Sequence, residues 1–303
     1  MDNISKVIET VKVKIPSIYQ KLDESMKNHT SFRIGGNIRV MYLPKSIEEL
    51  KTLCCILHSF EIMPLIIGCG TNLLVDDRKP LEMIAVKTTG INAVRVTGET
   101  EITAEAGISL AKLADFAYEH ELTGLEYAHG IPGSLGGAVS MNAGAYGSEM
   151  KDTVYSTCVC CRGNQYIVTG TEHRFSYRSS RFSDTTDIIL SSALRLQKGD
   201  KRSIKIKMDE LHARRAESQP LDLPSAGSTF KRPKDGYAAA LIQQAGLQGF
   251  SIGGAQISLK HSGFVVNNGE ATFMDVISIV EHVKETVFRK FSVELEPEIK
   301  IVS

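Results

Sequence analysis

The chain carries no surplus of charge: 35 lysines and arginines are matched by 35 aspartates and glutamates in 303 residues. No global field therefore draws it to DNA, RNA or an anionic membrane, and an anionic ligand must be held by a local cluster of groups. Long apolar runs are missing too. No stretch approaches the roughly 20 residues of a membrane span, and Met1 to Lys21 has no signal-peptide hydrophobic core; a cytoplasmic location is expected. Internal repeats and low-complexity tracts are absent. A zinc site lacks ligands. Cys158 and Cys161 form one C-x-x-C, but no second pair stands at matching spacing, and the other cysteines are Cys54, Cys55, Cys69 and Cys160. In a strand, Cys158 and Cys160 would share one face and Val159 and Cys161 the other, which suits small buried hydrophobes in a reducing compartment. No structural metal and no disulfide are expected.

Two nucleotide signatures also fail. Gly68-x-Gly70 follows an apolar strand, Pro64 to Ile67, as in a Rossmann unit. Position 73 is leucine where the third glycine belongs, however, and Thr71 to Asp77 reads as a polar step and a short strand, not a helix. A Walker A loop is absent.

Clustered glycine is what the chain does have. Gly130, Gly133, Gly136, Gly137, Gly144 and Gly147 fall within eighteen residues. Without a Cβ, main-chain N–H groups can approach a ligand closely, and clustered N–H groups near a helix start favour phosphate. Two separated loops, Gly68 to Asn72 and Gly130 to Asn142, therefore point to a nucleotide cofactor.

At this length two or three compact units are expected. Hydrophobic spacing predicts a docking helix over Ser5 to Ile15, a helix over Ile47 to Phe60 with a capping box of Ser46 and Glu49, and a helix over Leu110 to His120 capped by Ser109. Val154 to Cys161, Gln165 to Val168 and Ile188 to Leu196 alternate like antiparallel strands. A charged helix, Lys201 to Glu217, carries Ile204, Met208 and Leu211 on one stripe and suggests a bridge past a boundary near Gly199. Helices over Tyr237 to Ala245 and Phe273 to Phe291, the latter capped by Thr272, and a last strand, Glu298 to Val302, complete an α+β pattern.

Several runs then carry a family resemblance. They are Thr30-Ser31-Phe32-Arg33-Ile34-Gly35-Gly36, Ile67-Gly68-Cys69-Gly70-Thr71-Asn72-Leu73-Leu74, Gly130-Ile131-Pro132-Gly133 through Gly137, and Asn142-Ala143-Gly144-Ala145-Tyr146-Gly147. Tyr177-Arg178-Ser179-Ser180, Ser225-Ala226-Gly227-Ser228-Thr229-Phe230-Lys231-Arg232-Pro233 and Leu295-Glu296-Pro297-Glu298 follow in order. From about Lys27 to Ile301 the chain resembles the UDP-N-acetylenolpyruvoylglucosamine reductase (UDP-N-acetylmuramate dehydrogenase, MurB) family, in the form without an extra tyrosine-bearing substrate loop.

The resemblance implies an α+β fold: a two-part FAD-binding domain of the vanillyl-alcohol-oxidase/PCMH type plus a C-terminal α+β substrate-binding domain. Expected boundaries are an N-terminal helix over 1–20, the FAD-binding domain over 21–199 split near 88, and the UDP-sugar domain over 200–303, its terminal strand returning toward the active site. The implied enzyme is an oxidoreductase of peptidoglycan precursor synthesis, in which NADPH reduces non-covalent FAD and the flavin reduces the enolpyruvyl ether of UDP-N-acetylglucosamine enolpyruvate to UDP-N-acetylmuramate.

By motif position, Arg178 clamps the enolate, Ser228 donates the proton and Glu298, if protonated or hydrogen-bonded, stabilises the substrate carboxylate and the enolate. On their own these residues read as a surface arginine, a turn serine and an end-strand carboxylate. Cofactor binding is expected of Gly68, Cys69, Gly70, Thr71, Asn72, Leu73, Gly130, Ile131, Pro132, Gly133, Ser134, Gly136, Gly137, Ala138, Asn142 and Gly144, and substrate binding of Tyr177, Arg214 and Lys231. Arg215 and Arg232 are further cationic candidates for the UDP diphosphate. Ser218 stands where many relatives carry lysine, so the pattern departs at one phosphate contact. Rival readings are another FAD-dependent oxidase or dehydrogenase of the same fold, and a non-catalytic regulator binding flavin or sugar nucleotide.

Overall fold

A computed structural model describes residues 2–183, 185–234 and 236–303. The first helix, α1 (Asn3–Lys14), begins earlier than its hydrophobic spacing suggests because the Asp2 side chain accepts the Ser5 N–H and caps it. Val7 and Val11 are fully buried on one face. In α2 (Ile47–Ser59) the expected box closes on one side only. Ser46 accepts the Glu49 N–H at 3.1 Å, but the Glu49 carboxylate turns away to the Lys45 N–H at 2.8 Å and the Ser17 hydroxyl at 2.7 Å. Next come α3 (Leu110–Glu119), capped by Ser109, a short α4 (Leu135–Ser140) inside the glycine cluster, and α5 (Lys201–Ser218).

These helices, α5 as far as Ala213, belong to a first unit formed by Met1–Leu22, Arg39–Cys69 and Met83–Ala213. It carries most residues of a four-stranded sheet in the order Tyr19–Ser25, Asn37–Leu43, Leu81–Lys87, Leu65–Ile67, and a five-stranded antiparallel sheet in the order Asn164–Thr169, Val154–Cys161, Ile188–Arg195, Glu101–Glu105, Val94–Val96. The α5 stripe of Ile204, Met208 and Leu211 is buried in this unit's core. A bulge between Cys158 and Val159 upsets the expected alternation: Val159 and Cys160, consecutive in the chain, are both fully buried. All six cysteines are free thiols.

The second unit comprises Asp23–Ile38, Gly70–Glu82 and Arg214–Ser303. Its four-stranded antiparallel sheet runs in the order Ser225–Ser228, Phe264–Asn267, Ala255–Ile257, Ser251–Ile252, with α6 (Ala238–Gln244) and α7 (Phe273–Phe291). On α7, Thr272 and Asp275 form a full capping box, and Val276, Ile279, Val280, Val283 and Val287 recur at helical spacing into the core. Lys300–Val302 pairs in parallel with Leu73–Val75. Among the described residues no helix is long and apolar enough to cross a membrane.

One buried histidine couples the first unit to pH. His173 is fully buried, with Nδ1 at 3.0 Å from the Gly170 carbonyl and Nε2 at 2.9 Å from Thr157 Oγ1, and its ring stacks on Phe175. Burial lowers its pKa below the ordinary 6.5, and Arg181 adds to the effect. The unfolded chain therefore takes up a proton at higher pH than the folded chain does. Stability is full above about pH 6.5 and is lost as pH falls through the folded pKa. Urea midpoints at pH 7.5 and 5.5 are expected to fall with acid, and to fall less in His173→Gln; an equal fall in both proteins would contradict this assignment.

Candidate active site

In the first unit the glycine cluster builds a tight helix entry. The Leu135 and Gly136 N–H groups donate to the Ile108 and Ala106 carbonyls at 2.9 and 2.8 Å. A Cβ on Gly136 would stand 2.9 Å from Ala106 Cβ, so this glycine lets α4 lie against the end of the Glu101–Glu105 strand. Ser134, the N-cap residue of α4, does not cap it with its side chain. It is 2% exposed, and its hydroxyl has no hydrogen-bond partner. Gly68 backs directly onto that hydroxyl: a Cβ there would run into Ser134 Oγ. Around Gly137 there is room, with Ser134 Oγ at 3.7 Å from an added Cβ. Ile131 and Gly133 are half-buried, Pro132 is exposed and Ala138 is buried. Burial raises the Cys69 thiol pKa, against an opposing pull from Lys87.

Asn142 is fully buried in a left-handed conformation. Its amide nitrogen donates to the Ser176 carbonyl at 2.9 Å and to Glu149 Oε2 at 3.0 Å, and its Oδ1 accepts the Lys151 N–H at 3.0 Å. The side chain is thus spent on shaping the loop. Gly144 sits where a Cβ would stand 2.6 Å from the Ser148 carbonyl oxygen. The Ser176–Ser179 turn, closed by reciprocal backbone bonds, holds Arg178 in a left-handed conformation. Arg178 Nη2 donates to the Gly144 carbonyl at 3.2 Å, and its guanidinium lies 5.3 Å from the Tyr177 ring centre. One unit therefore gathers Arg178, Tyr177, Asn142 and Gly144.

The second unit gathers the other candidates. Gly70 takes φ +68°, and its carbonyl accepts the Ser31 N–H at 3.0 Å. Thr71 and Asn72 are half-buried and Leu73 is buried. Asn72 Nδ2 donates to the Glu298 carbonyl at 3.1 Å, and the Glu298 N–H donates to the Thr229 carbonyl at 2.8 Å. Ser228 therefore lies one residue from the point where Glu298 is tied down. It pairs with Phe264 at the end of a strand that bulges at Ala226 and Gly227, Gly227 having φ +77°. Lys231 is ion-paired with Glu296. Of the two adjacent arginines Arg214 is exposed, whereas Arg215 is buried with Nη1 3.2 Å from Gln219 Oε1. Ser218 Oγ donates back to the Arg214 carbonyl at 2.8 Å.

Sequence reasoning assigned no role to Ser31 or Thr229. Ser31 Oγ donates to the Ser225 carbonyl at 2.6 Å, and Thr229 Oγ1 accepts the Val265 N–H at 3.0 Å, so both fix the strand that ends at Ser228. Their presence in the quoted runs was the available signal.

Residues 38–191 match the family model of the FAD binding domain, and residues 219–302 match that of the C-terminal domain of UDP-N-acetylenolpyruvoylglucosamine reductase. A UDP-N-acetylenolpyruvoylglucosamine reductase of Caldanaerobacter subterraneus subsp. tengcongensis is 51% identical over 282 residues, 93% of each chain. The chain belongs to the UDP-N-acetylenolpyruvoylglucosamine reductase family. A Thermotoga maritima relative is 44% identical over 281 residues, 92% of this chain and 97% of the relative. The crystal structure of the reductase from Thermus caldophilus superposes with a TM-score of 0.80 at 31% identity, covering 94% of this chain and 99% of that one. Alkyldihydroxyacetonephosphate synthase, at 14% identity and a TM-score of 0.51 over 64% of this chain and 40% of its own, shares the FAD-binding fold alone.

The first unit fits the cofactor of this family. A buried hydroxyl without a protein partner is costly unless a ligand supplies the hydrogen bond. Ser134 is such a group, flanked by Gly68 and Gly137, where backbone can approach a diphosphate. Among the described residues no group of three or more His, Cys, Asp or Glu side chains could hold a metal ion. Gly68→Ala is expected to cost about 1–3 kcal/mol through overpacking against Ser134, and Ser134→Ala in the same chain should restore part of it. Additive losses in a double-mutant cycle of unfolding midpoints would show that the two residues do not collide.

Proposed function

We propose that this chain reduces the enolpyruvyl ether of UDP-N-acetylglucosamine enolpyruvate to UDP-N-acetylmuramate, with NADPH as reductant, in cytoplasmic peptidoglycan precursor synthesis. The 51% identity to a named reductase across 93% of the chain carries this reading. Residues 21–199 are assigned to cofactor binding and 200–303 to the sugar nucleotide, although 23–38 and 70–82 group with the second compact unit. FAD, when bound, supplies the hydride.

The Ser134 hydroxyl, together with the backbone of Gly68 to Asn72 and of Gly130 to Gly137, would hold the FAD diphosphate. Hydride addition at the terminal carbon of the enolpyruvyl double bond leaves negative charge on the neighbouring carbon and its carboxylate. A fixed cation placed where that charge develops contributes about 3–4 kcal/mol in measured cases. Arg178 is assigned that place; its bond to Gly144 and its stacking on Tyr177 hold the guanidinium before substrate arrives. Ser228 gives its hydroxyl proton to the carbon next to the carboxylate, which is basic enough as the enolate forms to take a proton from a weak acid. Glu298, fixed through its backbone beside Thr229, is assigned, in its protonated form, to hold the substrate carboxylate and the enolate by donating a hydrogen bond. Tyr177, Arg214 and Lys231 are assigned to substrate contact, Lys231 by exchanging Glu296 for phosphate.

Ser228→Ala separates the half-reactions. Under anaerobic rapid mixing, NADPH should bleach the flavin at the wild-type rate, while reoxidation by the enolpyruvyl sugar slows by about 10²- to 10⁴-fold. Unchanged reoxidation would remove Ser228 from the chemistry. Reoxidation by simple carbonyl compounds instead of the enolpyruvyl sugar would favour the rival oxidase reading.

A further inference from the structure

The loop that carries Tyr177 and Arg178 is closed at its base, where the Arg181 N–H donates to the His173 carbonyl at 2.8 Å. Phe175 stacks on the buried His173 ring and Phe182 meets it edge-on, so the base is apolar while Ser176 and Tyr177 at the tip are exposed. The tip is tied down at the end of α4. A helix leaves its last carbonyls without intrahelical partners, and the carbonyl of Ser140, the final residue of α4, is taken by two serine hydroxyls of this loop. Ser180 Oγ donates to it at 2.7 Å and Ser183 Oγ at 2.8 Å. In return Ser140 Oγ donates to the Phe182 carbonyl at 3.3 Å. Ser180 Oγ also accepts the Phe182 N–H at 3.1 Å, and Ser183 Oγ accepts the Ser180 N–H at 3.0 Å. Asn142 holds the other side of the turn at the Ser176 carbonyl. Arg178 therefore stands between two anchors, both supplied by the segment from Ser140 to Asn142.

We infer that Ser180, through the Ser140 carbonyl, is a positioning residue for Arg178 and sets where the guanidinium stands when the enolate forms. Arg178 is left-handed, and a residue with a side chain keeps that conformation only where its surroundings over-determine it. Ser180, buried two residues further on, supplies that constraint on one side of the turn. The inference rests on the enolate-clamp reading of Arg178 and adds to it a residue that acts through the arginine.

Anaerobic stopped-flow on the flavin-loaded full chain, following reoxidation of the reduced flavin by the enolpyruvyl sugar, tests this. Ser180→Ala should slow reoxidation at saturating sugar about tenfold and leave the half-saturating concentration within about twofold of wild type, because the clamp acts on charge that develops in the transition state. Ser183→Ala, at a half-buried position, should act in the same direction but less. In an Arg178→Ala chain either serine change should alter the rate by less than about twofold, since a residue that works through the guanidinium has nothing left to lose. Amide hydrogen exchange of the same proteins should quicken over residues 176–183 and stay unchanged in the five-stranded sheet, the mark of a loop released with the fold intact. Reoxidation within about twofold of wild type in every serine variant that binds flavin would overturn the assignment, as would equal losses with and without the Arg178 guanidinium. Arg178→Ala reoxidising like wild type would instead bring down the clamp reading itself, which is a different result.

Discussion

The carboxyl end of the chain is stitched into the second unit by two hydrogen bonds at Glu298. Its N–H reaches the Thr229 carbonyl, and its own carbonyl takes the Asn72 amide. Three segments far apart in sequence meet at that residue: the loop after Gly70, the strand through Ser228, and the final strand, which pairs in parallel with Leu73–Val75. A carboxylate near an exposed terminus would otherwise pay side-chain and backbone entropy to hold one position. Fixing its main chain on both sides removes the backbone part of that cost, so a residue that is unremarkable in sequence is tied down next to Thr229, the neighbour of Ser228.

In the first unit the same economy is achieved with absent atoms. Gly68 and Gly136 each stand where a Cβ would strike a neighbour, Ser134 Oγ in one case and Ala106 in the other. Neither demands a special φ; what they permit is close approach. The result is a buried hydroxyl with no protein partner, which a folded chain tolerates where a ligand completes the hydrogen bonding. Asn142 works in the opposite way, filling all its bonds within the loop so that Gly144 and the Ser176–Ser179 turn keep a fixed shape around Arg178.

Cations sort by their partners. Lys231 is neutralised by Glu296, Arg214 is exposed toward the end of α5, and Arg232 is spread over Tyr237. Charge counting treats these as equivalent, yet an ammonium that must first leave a carboxylate and a guanidinium stacked on a ring present different surfaces to a nucleotide.

Periodicity alone was enough for the long elements. The α7 boundaries, its Thr272 cap and the Val154–Cys161 strand stand where hydrophobic spacing and capping chemistry put them, because burial of one face is a local pattern written every two or three to four residues. The Glu49 side chain and the Val159–Cys160 pair escaped that pattern: Ser17 and Lys45 outcompete a local cap for the carboxylate, and a bulge shifts the register. The glycine loops announced close approach, but not which atoms approach. That Gly68 faces Ser134, that Asn72 holds Glu298, and that Arg215 and not Arg214 is buried depend on contacts between residues tens to hundreds of positions apart. No local propensity encodes such contacts; packing and hydrogen-bond satisfaction across the folded chain decide them.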